Sequence, residues 1–196
     1  DEEADSSDYV PSKRLRTGPD MEAVRDAAKA LVAAKRPVIY AGQGLHWSKA
    51  WDELKRLAEL LAIPVCTSLP GKSAFDETHQ LALGSGGAAY PATVHHFLKE
   101  SDVIFGIGCS FTSTAFGAKI PGGKSIIHST IDAADINKDV GSTLGMLGDA
   151  KLVLTALIEE VERQHNIDPR DPAGVVREID EVRTPWMDKW MPKLVN

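Results

Sequence analysis

Short apolar runs alternate with amphipathic stretches along most of this chain. The runs begin at Val38, Ile63, Val103 and Ser125, and each is continuous rather than alternating. A strand that is buried on both faces of a parallel sheet has this appearance, because neither of its faces meets water. The runs therefore predict strands of an α/β fold in which the sheet is parallel.

Helices are predicted between and after these strands, because apolar residues recur there at helical spacing. The predicted helices are one from Asp20 to the residue before Pro37, one with a stripe of Trp47, Trp51, Leu54, Ala58 and Leu61, one at 90–99, one that Asp149 caps, and a peripheral one at 173–183. Residues 69–88 and 133–148 are predicted to be loops. A strand, a helix and a second strand in succession form a βαβ unit with a right-handed crossover.

The stretch 102–132 is the most informative part of the chain. It contains two predicted strands, and each of them ends in small or polar residues. Gly106 and Ser110 lie at the end of the first strand, and Asp132 follows the second. Open α/β sheets bind ligands at the carboxyl ends of their strands, where glycine lets a phosphate approach and an acid can hold a ribose. The stretch therefore predicts a nucleotide-type crevice.

Other glycine-rich turns allow two interpretations each. Gly42-Gln43-Gly44 is half of the dinucleotide-binding fingerprint, but Trp47 stands where the third glycine belongs, so the alternative is a tight βα turn. The run 84–87, Gly-Ser-Gly-Gly, precedes a predicted helix, where free N–H groups could face an anion, and the alternative is a flexible connection. Gly106 also allows two interpretations. Its backbone could line a pocket, or its lack of a side chain could let the sheet pack closely against a helix.

The histidines and cysteines do not indicate metal or nucleophile chemistry. His95 and His96 are adjacent, so they point to different sides of a helix, and the other histidines show no ligand spacing. Cys109 has no basic partner that the sequence can place beside it. We therefore predict no catalytic residue and no metal ligand in this chain.

Composition narrows the class of protein. The chain has 196 residues, is 43% hydrophobic and carries a net charge of -6 at pH 7, which excludes a wholly disordered, collagen-like or coiled-coil chain. The acidic balance argues against nucleic-acid binding, and no apolar segment approaches the roughly 20 residues that span a bilayer. Two distant cysteines, Cys66 and Cys109, fit a reducing, cytoplasmic setting. The chain opens without Met and both ends resemble linkers, so we expect a piece of a longer protein.

Several segments, taken in order, resemble a known family. They are 36–44 with Arg-Pro-Val-Ile and Ala-Gly-Gln-Gly, 57–65 with Leu-Ala-Glu-Leu-Leu-Ala-Ile-Pro-Val, 67–75 with Thr-Ser-Leu-Pro-Gly-Lys-Ser-Ala-Phe, 101–108, and 131–138. They resemble the central domain of thiamine diphosphate-dependent enzymes, over about residues 20–165. Acetolactate synthases, oxalyl-CoA decarboxylases and 2-hydroxyacyl-CoA lyases are the most similar in character.

The resemblance implies an architecture. Enzymes of this family carry three similar α/β domains, and thiamine diphosphate and Mg²⁺ bind between the first and the third. The middle one is a Rossmann-like three-layer αβα domain with a parallel sheet of about six strands, and it holds ADP, FAD or no ligand. In this chain the resemblance implies a linker or arm at 1–19, the central nucleotide-binding-type domain at 20–165, and a linker to a following domain at 166–196.

Departures from the family pattern favour ADP over FAD in this domain. Acetolactate synthases have a run of the Arg-Phe-Asp-Asp type that helps to seat FAD, and here the run is Ser110-Phe111-Thr112-Ser113. Thr130 replaces the first acid of the family's Asp-Ile-Asp triplet, which leaves Asp132 alone. The expected ligand-binding residues are Gly42, Gln43, Gly44, Thr67, Gly106, Ser110, Asp132 and Asp149.

The implied function is that of a lyase or transferase that makes or cleaves a carbon–carbon bond next to a carbonyl, as in a 2-hydroxyacyl-CoA lyase or an acetolactate synthase-like enzyme. The substrate would be a small 2-oxo, 2-hydroxyacyl or acyl-CoA compound. The partners would be other domains of the same enzyme in a homodimer or homotetramer, and this domain alone should be inactive. Two alternatives stay open: a ligand-free domain that supports subunit packing, and a free NAD-binding domain.

Overall fold

The computed structural model describes residues 10–13, 15–87, 89–165 and 169–194. They form a six-stranded sheet in the order β3-β2-β1-β4-β5-β6, in which every neighbouring pair is parallel. The strands are β1 (Pro37–Ala41), β2 (Val65–Ser68), β3 (Ala82–Gly86), β4 (Val103–Ile107), β5 (Ser125–Thr130) and β6 (Leu144–Leu147). This is the strand order of the Rossmann fold. The prediction of a parallel α/β sheet with about six strands is confirmed.

Helices cover both faces of the sheet. They are α1 (Met21–Ala33), α2 (Gly44–Ser48), α3 (Trp51–Leu61), α4 (Ala92–Glu100), α5 (Ala150–His165) and α6 (Ala173–Leu194). One apolar core contains side chains of α1, α3 and α5 together with the strands, and a second contains side chains of α4 and α6. The domain therefore has three layers, with a core on each side of the sheet.

Capping aspartates begin two of the helices. The side chain of Asp20 accepts hydrogen bonds from the N–H groups of Glu22 and Ala23, at 2.7 and 3.3 Å, where α1 starts. Asp149 accepts from Lys151 and Leu152, at 3.1 and 3.4 Å, where α5 starts. An acidic side chain satisfies N–H groups that have no partner inside the helix, which is why both starts could be predicted.

Strands β3 and β6 lie in segments that were predicted to be loops, so both predictions were wrong. Gly84 in β3 has φ +103, and the register of β2 against β3 shifts beside it, which marks a bulge. Residues 84–86 pair with β2 as a strand, so most of the run 84–87 belongs to the sheet, and its interpretation as an anion cradle ahead of a helix stays a prediction.

The predicted helix over Trp47 and Trp51 is divided into α2 and α3. Lys49 between them adopts a left-handed conformation with φ 54, which ends the first helix. Leu54, Ala58 and Leu61 are buried as the stripe predicts, whereas Trp47 and Trp51 are 64% and 43% exposed. The two tryptophans therefore do not belong to the core stripe.

The last helix extends beyond the predicted 173–183. Although it contains Pro185 and Pro192, α6 runs to residue 194. Its Ile179 is fully buried, and its Glu178 accepts hydrogen bonds from Arg36 at 2.5 Å and pairs with His96 at 2.6 Å. The helix is thus packed on the domain. The domain limits at 20 and 165 stay a prediction, and residues 1–9, 14, 166–168 and 195–196 of the two predicted linkers lie outside the described part of the chain.

Candidate functional site

A cavity of about 610 Å³ lies at the carboxyl ends of the central strands. The strand order reverses between β1 and β4, because β2 and β3 continue on one side and β5 and β6 on the other. Connections that leave neighbouring strands toward opposite faces open a crevice at such a switch point. The structure thus places a cavity of ligand size at the edge of the sheet where the sequence predicted a crevice.

The turns after β1 and β4 contact each other at the base of the cavity. The N–H of Gly44 donates to the Gly108 carbonyl at 2.8 Å, and the N–H of Gly42 donates to Ile107 at 2.9 Å. A Cβ added at Gly42 would lie 2.2 Å from the Gly108 oxygen, and one at Gly44 would lie 2.7 Å from the Gly108 Cα. Glycine is therefore needed here for two backbones to pack together, which is the simpler of the two interpretations of the motif.

An aromatic group lies beside these turns. Phe111 stacks on Tyr40 with ring centroids 5.5 Å apart and meets His128 edge-on at 4.8 Å. A Cβ at Gly106 would lie 2.2 Å from the Phe111 ring, so Gly106 makes room for that ring. Tyr40 and Phe111 both line the cavity, whereas Gly106 lies beneath them.

Buried titratable groups near the cavity are held in their neutral forms. His128 is fully buried with its Nε2 2.8 Å from the Cys109 carbonyl, and burial lowers the pKa of its ring. Burial also raises the pKa of the Cys109 thiol to about 12 and raises the pKa of Tyr40. A thiol with so high a pKa is a poor nucleophile at neutral pH. These groups are suited to packing and hydrogen bonding rather than to acid–base catalysis.

Hydroxyl and carboxyl groups line the cavity. The hydroxyls of Ser110 and Thr112 lie 2.8 Å apart in the loop after β4. At the end of β5 the Thr130 hydroxyl donates to Asp135 at 3.0 Å. Asp149, almost fully buried, caps α5 with one carboxyl oxygen, and Arg16 lies 3.8 Å from the other. Among the described residues, no Lys or Arg side chain lines the cavity directly.

The structure brings some of the predicted ligand residues together and places others elsewhere. Gln43, Gly44, Ser110 and Asp149 line the cavity. Gly42 packs behind it as described above. The remaining predicted residues do not line it: Thr67, whose hydroxyl lies 2.9 Å from that of Ser85; Gly106, under Phe111; and Asp132, which accepts from the Ala134 N–H at 2.9 Å.

Sequence reasoning missed Asp135, which lines the cavity in place of Asp132. A 3-10 turn at Ala133–Asp135 follows β5, and Asp132 caps that turn from its start. The turn carries Asp135 back toward the strand end, where it meets Thr130. The sequence shows only that a second acid, Asp135, lies three residues after Asp132. No pattern around the two acids indicates which of them faces the cavity.

Large apolar side chains surround the mouth of the cavity. Trp47, Leu69, Phe116 and Ile131 line it and are all at least half exposed. Exposed apolar groups gathered around one opening are typical of a ligand-binding or interaction site. The arrangement can hold a ligand that combines a flat apolar portion with hydroxyl groups.

Two kinds of feature are absent from the described residues. No group of three or more His, Cys, Asp or Glu among them could hold a metal ion. Within the same residues, no helix combines the length and the apolar character needed to cross a bilayer.

The chain was compared with known protein families, curated proteins and solved structures. The family described as "Thiamine pyrophosphate enzyme, central domain" matches residues 24–157. The chain is 41% identical over 150 residues to the "Probable acetolactate synthase large subunit" of Methanococcus aeolicus, covering 76% of the chain and 25% of that protein. It is 35% identical over 159 residues to the acetolactate synthase of Mycobacterium bovis, and this match covers 80% of the chain and 26% of that protein.

A solved structure has the same fold. The benzoylformate decarboxylase of Polynucleobacter necessarius superposes with a TM-score of 0.65 at 24% identity, over 87% of this chain and 32% of that one. The chain spans about a quarter of the length of the two acetolactate synthase relatives. Because the family match covers well over half of its residues, the chain belongs to the family of thiamine pyrophosphate enzyme central domains.

Proposed function

We propose that this chain is the nucleotide-binding-type central domain of a thiamine diphosphate-dependent enzyme that makes or cleaves a carbon–carbon bond next to a carbonyl. The observation that carries the proposal is the cavity between the ends of β1 and β4, in a chain that belongs to this family. Similarity to acetolactate synthases favours an acetolactate synthase-like enzyme over a 2-hydroxyacyl-CoA lyase. A small 2-oxo compound is then a better candidate substrate than an acyl-CoA.

Thiamine diphosphate and Mg²⁺ would be held by other domains of that enzyme. Support comes from the acetolactate synthase relatives, because this chain spans only about a quarter of their length. When bound, the thiazolium ring supplies an electron sink for the carbon–carbon chemistry. The present domain would contribute a nucleotide site and packing surfaces, and it should be inactive by itself.

The residues around the cavity fit a nucleoside diphosphate. Asp135 and Thr130 offer a carboxylate and a hydroxyl to a ribose, and the apolar side chains at the mouth suit a base. Gln43, Gly44, Ser110 and Asp149 complete the lining on the other sides. Ser110 stands where acetolactate synthases have the arginine of the Arg-Phe-Asp-Asp type run, which supports ADP over FAD. We retain Gly42, Thr67, Gly106 and Asp132 as weaker candidates.

Calorimetric titration of the chain with ADP, FAD and NAD tests the proposal. We expect heat from ADP, a weaker signal from FAD and none from NAD. A yellow preparation, or tighter FAD than ADP, would contradict the preference for ADP. Binding of NAD alone would support the alternative of a free NAD-binding domain.

A ligand-free domain is the second candidate, and one observation favours it. Gly44 donates its N–H to Gly108 rather than toward the cavity, so the glycine turn after β1 is explained by packing alone. In that case the exposed apolar mouth would meet another domain or subunit. Absence of binding heat with ADP, FAD and NAD would support this candidate.

Further features of the proposed enzyme concern its partners and setting. We propose that the central domain comprises residues 20–165, that other domains of the same polypeptide are its partners, and that the enzyme is a homodimer or homotetramer. The free, buried thiols of Cys66 and Cys109 are compatible with a reducing, cytoplasmic setting. Gel filtration of the enzyme with light scattering would measure the oligomeric state.

A further inference from the structure

A second cavity, of about 160 Å³, lies at the amino ends of β1 and β2, on the opposite edge of the sheet from the cavity described above. Its walls are the starts of these two strands, the end of α3, one side chain of α4, and residues 170–178 at the start of α6. We call it the amino-edge pocket. A cavity of about 150 Å³ holds a molecule the size of benzene, so this pocket suits a ligand of about six heavy atoms.

The interior of the amino-edge pocket is apolar. Val38, Leu61 and Phe97 line it with buried side chains. Pro37 begins β1 and Pro64 directly precedes β2, and proline has no N–H that a ligand could use. An aliphatic group in this space is therefore shielded from water, while the strand starts offer it no donor.

Two cationic residues line one side of the pocket, and neither has an acidic partner in the part of the chain that the structure describes. Arg170 donates through Nη2 to the Val32 carbonyl at 2.5 Å, and a guanidinium has further N–H groups to donate. Lys35 lies three residues after Val32, so both cations are beside the end of α1. Asp102 is near, but its carboxylate accepts from the backbone N–H groups of Lys35 and Arg36 at 2.8 and 2.9 Å, and it does not line the pocket.

The acids that line the pocket already have donors. Glu178 accepts from Arg36 at 2.5 Å and pairs with His96 at 2.6 Å. Asp171 accepts from the Ala173 N–H at 2.9 Å, where α6 begins. Among the described residues, three cationic and two acidic ones line the pocket, so one positive charge is in excess. A ligand that carries one negative charge would balance it.

We propose that the amino-edge pocket binds a small aliphatic carboxylic acid, with the carboxylate beside Lys35 and Arg170 and the aliphatic chain against Val38 and Phe97. Because Val175 lines the pocket from α6, a bound acid would also help to hold the start of that helix on the domain. The site is separate from the proposed nucleotide cavity and does not depend on it.

The test follows the backbone amide signals of the ¹⁵N-labelled full chain by NMR during titration with sodium butyrate, an acid of this size. Butyramide is the uncharged ligand of the same shape, and sodium chloride at matched concentration controls for ionic strength. We expect butyrate to saturate with a Kd of about 1 mM and to shift the amides of Val38, Ala62 and Val175. Butyramide should bind at least about tenfold more weakly, because it makes no charge-assisted contact.

Two variants test the charges. Lys35→Gln and Arg170→Gln each remove one positive charge, and glutamine at position 170 can still donate to the Val32 carbonyl. Each should weaken butyrate binding about three- to tenfold and leave butyramide binding within about twofold. The control is Lys29→Gln on α1, because Lys29 pairs with Asp26 and does not line the pocket. K29Q should bind butyrate as the unaltered chain does.

Other results would overturn the inference. An absence of saturable shifts with butyrate would remove the site altogether. Equal affinities for butyrate and butyramide would show that the pocket does not select an acid. Shifts centred on Gly44 and Ser110 would place the acid in the other cavity. Butyrate binding by K35Q and R170Q that is as tight as in K29Q would show that the two charges take no part.

Discussion

The N–H of Gly44 donates to the carbonyl oxygen of Gly108 across 2.8 Å, which joins the turn after β1 to the turn after β4. The two strands are neighbours in the sheet, but the two glycines are 64 positions apart in the chain. Gly108 has φ 62, a conformation that favours glycine, so each turn depends on glycine to accommodate the other. The base of the cavity is therefore built by backbone packing, and side chains farther out would select the ligand.

Gly42→Ala tests this packing directly. The added Cβ would lie 2.2 Å from the Gly108 oxygen and 2.6 Å from the Cys109 Cα, and backbone atoms cannot rotate away as a side chain can. We expect the free energy of unfolding to fall by about 3 kcal/mol in urea denaturation. Gly174→Ala in α6 is the control, because a Cβ there meets nothing within 4 Å. The control should change stability by less than about 1 kcal/mol. Equal stability of the two variants would contradict the role of the glycine turn.

Gly106 and Phe111 should be energetically coupled. A Cβ at Gly106 would meet the Phe111 ring at 2.2 Å, so Gly106→Ala forces the ring to move. Phe111→Ala removes the ring, at a cost of about 3 kcal/mol or more for a buried aromatic. The double variant should therefore lose less stability than the sum of the single losses, by at least about 1 kcal/mol in a double-mutant cycle.

The control cycle combines Phe111→Ala with Gly141→Ala, where a Cβ meets open space. The effects of this pair should add. Additive losses for Gly106→Ala and Phe111→Ala as well would mean that the ring does not depend on the glycine beneath it.

Asp135 and Asp132 are a matched pair for testing the ligand site. Asp135 lines the cavity, and Asp132 caps the 3-10 turn outside it. Asp135→Asn should weaken ADP binding about tenfold, because a charged acceptor for hydroxyl groups is lost. Asp132→Asn should weaken ADP binding much less, since Asp132 does not line the cavity and asparagine also caps helical turns. Calorimetric titration at a single pH measures the ADP affinity of both variants. A larger loss of ADP affinity in Asp132→Asn than in Asp135→Asn would instead support Asp132, the acid that the sequence pattern favoured, as the ligand-binding residue.

The apolar pattern predicted the strands in the middle of the sheet and missed those at its edges. β1, β2, β4 and β5 have neighbours on both sides and are rich in apolar residues, so continuous runs identify them. β3 contains Gly84 and Gly86, and β6 has only four residues, two of them exposed. These edge strands are defined by their hydrogen bonds to a neighbouring strand. The apolar pattern of a short segment contains no information about such a partner.

Prediction of the site was limited by the same dependence on distant contacts. The glycine tips of β1 and β4 were visible in the sequence, and both lie at the base of the cavity. The bond between Gly44 and Gly108 was not visible, because nothing in the spacing of either turn specifies its partner. The choice of Asp132 over Asp135 failed because the hydrogen bonds of one short turn decide which acid faces the cavity.

Glu178 should make the docking of α6 depend on pH. Burial alone would raise the pKa of this carboxyl, but hydrogen bonds with Arg36 and His96 outweigh it and hold the pKa below the ordinary value. A carboxyl with a lowered folded-state pKa stabilises the fold above its unfolded pKa of about 4.3. That contribution is lost as the pH falls through the folded-state pKa.

Glu178→Gln is therefore expected to lower the free energy of unfolding by about 1–2 kcal/mol at pH 7, where the Glu178 carboxyl is ionised and pairs with Arg36. Below about pH 4 the difference from the unaltered chain should shrink, because Glu178 is then becoming neutral too. Urea denaturation at several pH values between 7 and 3.5 measures both effects. Glu181→Gln, an exposed position on the same helix, is the control and should have little effect at any pH. A deficit in Glu178→Gln that stays constant down to pH 3.5 would show that the side chain acts through packing rather than through its charge.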